Sequence, residues 1–143
     1  MKQQVHFVTF ATADLDAARR FYRDALGWTP LMDVEGEIIF FQVAPGLLLG
    51  LFDTSKFNQD LATGTDMSRL SGVILSHNVD SAADVDELVR SMTAAGGTVL
   101  KNPRAGEFGG IFHAHVQDPN GIIWEIAHNP GWHIDDAGTV TIG

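Results

Sequence analysis

The stretch "HAHVQDPNGIIWEIAHNP", residues 113–130, contains two runs of alternating residues on either side of a tight turn. Alternation of apolar and polar residues is typical of strands that bury one face. Asp-Pro-Asn-Gly, residues 118–121, suits a turn in which proline takes the second place and glycine adopts a positive φ. The stretch therefore predicts a β-hairpin.

The register of this hairpin brings two histidines and a glutamate together. On the bulged-turn geometry, the numbers of opposed residues sum to about 240. His115 then faces Glu125, and His113 faces Ala127. Because side chains alternate along a strand, these residues and Ile123 share one face of the sheet.

Upstream of the hairpin, the sequence completes a strand–helix–strand–strand–strand unit. Its helix has a capping box at Ser81 and Asp84 and ends at two glycines, Gly96 and Gly97. Apolar residues recur at helical spacing between them. The predicted elements are a strand at 71–79, a helix at 80–97 and strands at 98–103, 110–117 and 122–128.

The first half of the chain has the same order. Asp14 suits the N-cap of a helix, and Gly27 lies where its left-handed C-terminal cap belongs. The flanking strands are predicted at 5–10, 31–34, 37–43 and 47–53. The chain is thus one domain, residues 1–143, which divides into module one at 4–53, a polar linker at 54–70, module two at 71–129 and a surface tail at 130–143.

Two βαβββ modules indicate an α+β fold. A single module has only one helix to cover its sheet. Two modules side by side can curl their strands into a cupped mixed β-sheet with the helices outside. The concave face is then a natural pocket for a ligand.

Composition restricts the functions that this fold can carry. The net charge of −9, from 18 acidic residues against 9 Lys and Arg, disfavours nucleic-acid binding. The longest apolar run, residues 47–52, is too short to cross a membrane. The absence of cysteine excludes disulfides, thiolate metal sites and a cysteine nucleophile. No signal-peptide pattern opens the chain, and we expect a cytoplasmic protein.

Two motifs, "DLDAARRFYRDALGW" at 14–28 and "DPNGIIWEIA" at 118–127, resemble the vicinal oxygen chelate superfamily. That superfamily contains glyoxalase I, extradiol dioxygenases and bleomycin-resistance proteins. The resemblance covers nearly all of residues 5–129 and implies a homodimer. It does not select one activity within the superfamily.

The resemblance also implies a divalent metal ion held by side chains on the first and last strands of each module. The implied positions are Phe7, the neighbourhood of Leu49–Leu51, Ile74 and Glu125. Only Glu125 carries a donor there. We therefore expect the usual metal site to be absent and no cofactor to be required, with a divalent ion as the alternative.

Three interpretations of the hairpin face are open. His115 and Glu125 can form a structural hydrogen bond inside a ligand pocket. They can instead act as acid/base groups or polar anchors for a substrate. The third interpretation is a relocated metal site built from His113, His115 and Glu125, since two imidazoles and a carboxylate are a known ligand set.

The function that these observations favour is metal-independent binding of a small, largely apolar or aromatic molecule, as in the bleomycin-binding members. The alternative is an enzyme of the lyase, isomerase or dioxygenase type, with Glu125 and His115 as its catalytic residues. The predicted ligand-binding residues are Phe7, Thr9, Phe41, Leu49, Leu51, Ile74, Ser76, His113, His115 and Trp124.

Overall fold

The computed structural model describes residues 1–69, 71–107 and 109–143, which form two compact units. The first unit comprises residues 1–72 and 119–121, and the second comprises residues 73–118 and 122–143. Each unit contains one four-stranded mixed sheet with helical segments. The predicted α+β class is confirmed, and the element order in each unit fits a βαβββ module.

In the first unit, the sheet has the strand order β1-β4-β3-β2, with β1 and β4 parallel and the other pairs antiparallel. The elements are β1 (Phe7–Thr12), α1 (Leu15–Ala18), a π-helical segment (Arg19–Ala25), β2 (Met32–Val34), β3 (Ile38–Ala44), β4 (Leu47–Asp53) and α2 (Thr54–Leu61).

The first helix begins and ends where the sequence predicts, but its interior differs. The Asp14 carboxylate accepts a hydrogen bond from the Ala17 N–H at 2.8 Å, and Gly27 has φ of 76°. After one α-helical turn the chain becomes π-helical, a change of helix type that the sequence did not predict. Phe21 and Tyr22 are both fully buried there. Adjacent side chains of an α-helix point about 100° apart. A π-helical turn contains more residues, so adjacent side chains differ less in direction, which favours burying both rings on one side.

Part of the predicted linker is helical. Residues 54–61 form α2, whose N-cap Asp53 accepts hydrogen bonds from the Ser55 and Lys56 N–H groups. The linker predicted at 54–70 thus begins with a short helix. The helix is short and has no buried residue, and its apolar signal is limited to Phe57 and Leu61, four residues apart. Leu70, at the end of the predicted linker, lies outside the described residues.

The second unit repeats the topology with the strand order β5-β8-β7-β6, in which β5 and β8 are parallel. Ser81 caps its helix as predicted, because its hydroxyl oxygen accepts the Asp84 N–H. The elements are β5 (Ile74–Val79), α3 (Ala82–Ala94), β6 (Thr98–Ala105), β7 (Phe112–Gln117) and β8 (Ile123–His128). The tail folds back on itself as an antiparallel pair, β9 (Trp132–Ile134) and β10 (Val140–Ile142).

Each four-stranded sheet buries one face and leaves the other more open. In the second unit the residues at 114, 116, 124 and 126 of β7 and β8 are buried on the side of α3, whereas the odd-numbered ones are partly accessible, apart from the buried Ala127. We call the accessible side the open face of the sheet. No helix in the described ranges is long and apolar enough to cross a membrane.

Candidate functional site

The hairpin that joins β7 and β8 has the predicted register. His115 lies opposite Glu125, and His113 lies opposite Ala127. Gly121 has φ of 99°, which explains the glycine at the end of the turn. The parallel strand β5 adds Ser76 beside Glu125 on its other side. The open face of the second sheet thus collects polar groups from three adjacent strands.

Both carboxylate oxygens of Glu125 are engaged. Oε1 lies 2.8 Å from Nδ1 of His113, and Oε2 accepts a hydrogen bond from the Ser76 hydroxyl at 2.8 Å. Burial, the largest single influence, opposes the charged form, but the hydrogen bonds from His113 and Ser76 outweigh it and lower the pKa of Glu125. The group is a carboxylate at neutral pH.

Lys101, on β6, completes this network and was not predicted from the sequence. Its Nζ lies 2.8 Å from Nε2 of His113. An ammonium group only donates, so Nε2 accepts and Nδ1 carries the proton that His113 donates to Glu125. Hydrogen bonds therefore run from Lys101 through His113 to Glu125. We call Ser76, Lys101, His113, His115 and Glu125 the Glu125 cluster.

His115 belongs to the cluster but stands apart from its hydrogen bonds. Its Nε2 lies 3.8 Å from Oε1 of Glu125, beyond hydrogen-bonding distance, so the structural His115–Glu125 bond considered above is not formed. Burial lowers the pKa of His115, with Glu125 acting in the opposite direction and Lys101 and His113 adding to the decrease. The imidazole is therefore neutral at pH 7.

The four positions implied by the family do not offer a metal site. Phe7 and Ile74 have no donor atom, and both are about half exposed. On β4 the residue that shares the face of Phe7 and Thr9 is Gly50, which pairs with Thr9. A Cβ at Gly50 would lie 3.0 Å from the Phe40 ring and from Oγ1 of Thr9. Only Glu125 could contribute a ligand atom.

A different donor set lies within the Glu125 cluster. One ligand atom each from His113, His115 and Glu125 can be chosen so that all lie within 4.8 Å of one another. Imidazole and carboxylate donors suit divalent transition metals. An ion bound through Nδ1 of His113 would have to displace the proton on that nitrogen. It would also lie near the positive ammonium group of Lys101, which contacts Nε2 of the same ring. The hydrogen-bonded arrangement therefore opposes the binding of a cation.

The predicted ligand-binding residues divide between opposite faces of the two sheets. On the open face of the first sheet lie Phe7 and Thr9. The corresponding face of the second sheet carries Ile74, Ser76, His113 and His115 beside Glu125. Phe41, Leu49 and Leu51 point to the other face of the first sheet, where they are at most 2% exposed. They form core, so they do not lie with the other predicted ligand-binding residues on the open face.

Trp124 lies on the buried face of the second sheet, as Phe41, Leu49 and Leu51 do in the first. It alternates with Glu125 along β8 and lies on the buried face, with 8% of its surface exposed. Successive side chains of a strand point to opposite faces. The structure therefore places Trp124 on the opposite side of the sheet from the Glu125 cluster.

Residues 4–126 match the sequence model of the Glyoxalase/Bleomycin resistance protein/Dioxygenase superfamily, so the chain belongs to this family. A glyoxalase-related enzyme from Fulvimarina pelagi has a similar structure, with a TM-score of 0.87 and 37% identity over 99% of both chains. A lactoylglutathione lyase from Agrobacterium tumefaciens shares the fold, with a TM-score of 0.67 and 23% identity over 88% of this chain and 93% of its own.

Curated relatives are longer than this chain. A lactoylglutathione lyase of Arabidopsis thaliana is 30% identical over 125 residues, which are 83% of this chain but 42% of the relative. The chain therefore spans less than half the length of that protein. It corresponds to one part of the longer enzyme.

Proposed function

We propose that this protein binds a small, partly apolar molecule on the open face of the second sheet without the usual metal ion of its family. The observation that carries the proposal is the pair of hydrogen bonds that occupy Glu125. The one carboxylate at a family ligand position is held by His113 and Ser76, and His113 is held in turn by a cation, Lys101.

The open face offers both apolar and polar contacts to such a ligand. Ile74 and Ile123 pair across β5 and β8, two residues along the strands from Ser76 and Glu125 and on the same face. They supply apolar surface, since Ile74 is 51% exposed. His115 supplies a neutral imidazole whose Nε2 is not held by Glu125. A ligand can therefore stack on the isoleucines and bond to His115.

The experiment is a metal analysis of protein purified without chelator, in the wild type and in Glu125→Ala. We expect both to contain far less than one transition-metal ion per chain. Glu87→Ala, an exposed substitution on α3, controls for the loss of a carboxylate. One bound ion per chain in the wild type and in the control, lost in Glu125→Ala, would overturn the proposal and favour the His113, His115 and Glu125 site.

A second candidate function is acid/base catalysis of the lyase or isomerase type. It is favoured by the neutral imidazole of His115, which can accept a proton from a ligand bound beside it. The lactoylglutathione lyase relatives suggest the first assay, which follows lactoylglutathione formation by the wild type and by His115→Gln. Turnover that His115→Gln abolishes would support this candidate, and a wild type without turnover would contradict the lyase.

We also propose that the chain forms a homodimer, because the family resemblance implies one. Sedimentation velocity tests this directly. A single species with the mass of two 15.5 kDa chains is the expected result, and a monomer at all concentrations would contradict it.

A further inference from the structure

Resting on the proposed function, we infer that the molecule bound by the second sheet carries an anionic group, of the carboxylate class, which Lys101 and Arg104 bind. Both residues lie on β6, at the edge of the sheet. Neither residue was among the predicted site residues. Their placement, their lack of acidic partners and the surrounding apolar surface carry the inference.

The strand register places both cations on the open face. Lys101 pairs with His115, and Arg104 pairs with His113. Cross-strand partners point to the same side of a sheet, so the two cations lie with the two histidines. The register shifts between Lys101 and Arg104, which explains how residues three apart share a face.

The intervening residues support this placement. Asn102 and Pro103 line a cavity of about 790 Å³ together with residues of α3, including Val89 and Thr93. They therefore lie toward the helix side of the sheet. The irregularity in β6 turns Asn102 and Pro103 to one side and leaves Lys101 and Arg104 on the other.

Both cations are available to an anion. Lys101 donates one hydrogen bond, to His113, and an ammonium group has three donors. Arg104 is exposed, and over the described ranges neither residue forms an ion pair with a carboxylate. In the first unit, by contrast, Arg19 and Arg23 are each paired with Asp33. A protein of net charge −9 thus keeps two cations, one within the Glu125 cluster and one beside it, that are not neutralised by a carboxylate of the described residues.

The distance across the sheet sets the size of the ligand. Ile123 lies on β8, two strands away from β6. Ile123 lies opposite Gln117, two residues along the strands from His115, the partner of Lys101. At a strand spacing of about 4.8 Å and a rise of about 3.4 Å per residue, the backbone of Ile123 is roughly 12 Å from that of Lys101. A carboxylate joined to an aryl or alkyl group by a short chain matches this separation.

The test compares 3-phenylpropanoate with its neutral isostere 3-phenylpropanamide. Binding is followed through the ring resonances of His113 and His115 in the wild type, Lys101→Met and Arg104→Gln. Arg90→Gln is the matched control, because Arg90 is an exposed cation on α3. Arg104 is exposed as well, so Arg104→Gln should leave the fold intact. It therefore keeps the test valid if Lys101→Met lowers stability.

We expect the wild type to bind the carboxylate at least about tenfold more tightly than the amide, since hydrogen bonds to charged groups are the stronger ones. Lys101→Met should remove most of this preference, Arg104→Gln should reduce it, and Arg90→Gln should leave it unchanged. Added salt should weaken carboxylate binding and leave amide binding unaffected.

Equal affinity for the two compounds, unchanged by Lys101→Met, would overturn the anionic ligand and leave the proposed binding function intact. No perturbation of either histidine by either compound would also overturn the inference. The proposed function fails by a different observation, in the metal analysis. There the wild type would contain one metal ion per chain, and Glu125→Ala would lack it.

Discussion

His113 holds Glu125 by a 2.8 Å hydrogen bond although His115 is the residue directly opposite Glu125 in the sheet. The bond is diagonal, because the residue opposite His113 is Ala127, two residues along β8 from Glu125. Such diagonal neighbours are within reach of long side chains. One consequence is a division of roles, because His113 is fixed at both ring nitrogens and His115 keeps a neutral ring that no carboxylate holds.

The first prediction concerns the protonation of the His113 ring. Nε2 accepts from Lys101 and Nδ1 donates to Glu125, so the neutral ring should be the Nδ1–H tautomer. Ring ¹⁵N shifts in the neutral pH range measure this directly. Glu125→Ala removes the acceptor and should produce a mixture of tautomers, whereas Glu87→Ala should not. An Nε2–H ring in the wild type would contradict the network.

The second prediction concerns the titration of His115. Burial lowers the pKa of its imidazole, Glu125 raises it and Lys101 lowers it. Its midpoint in the folded protein should therefore lie below 6.5, Glu125→Gln should lower the midpoint further, and Lys101→Met should raise it. Ring-proton shifts against pH measure all three. A midpoint raised by Glu125→Gln would be incompatible with the described contacts.

The same shift has a consequence for stability. The pKa of His115 is lower in the folded state than in the unfolded state, so the unfolded chain binds the proton more tightly. The free energy of unfolding should therefore decrease as the pH falls below 6.5 toward the folded pKa. His115→Gln should make this part of the pH dependence shallower, which urea unfolding at a series of pH values can measure.

The third prediction concerns the junction of α3 and β6. A Cβ at Gly97 would lie 2.8 Å from the carbonyl oxygen of Met92 and 2.9 Å from Cγ1 of Val116. Because the first of these atoms is backbone, it cannot move aside cheaply, and Gly97→Ala should lower the free energy of unfolding by about 1–3 kcal/mol. Gly106→Ala, which meets only ordinary contacts of 3.5 Å or more, is the control. Equal stability of both variants would contradict the close approach.

The hairpin could be predicted from neighbouring residues in the sequence, whereas the rest of the site depends on pairing between strands that are far apart in the chain. The turn at 118–121 and the alternation on either side fix the register of β7 and β8 without other information. Lys101 could not be predicted as a site residue because β6 contains two register shifts, after Val99 and after Lys101. No sequence pattern shows which residue of a shifted strand faces His113.

The faces of β4 show a second limit. "LLLGLFD" at 47–53 is apolar at nearly every position, so its alternation cannot be seen. The parallel pairing with β1 shows that Gly50 shares the face of Thr9, while Leu51 pairs with the buried Phe10. A shift of one residue exchanges the two faces, so the sequence alone does not separate the core leucines of β4 from residues that contact a ligand.

The fourth prediction tests this assignment of faces. Leu51 is 0% exposed and Phe7 is 53% exposed. Leu51→Ala should leave a cavity and lower the free energy of unfolding by about 2–5 kcal/mol. Phe7→Ala, which removes a larger side chain from the open face, should cost less than about 1 kcal/mol. Urea unfolding of both variants measures the difference, and a larger loss for Phe7→Ala would place Phe7 in the core and Leu51 on the open face.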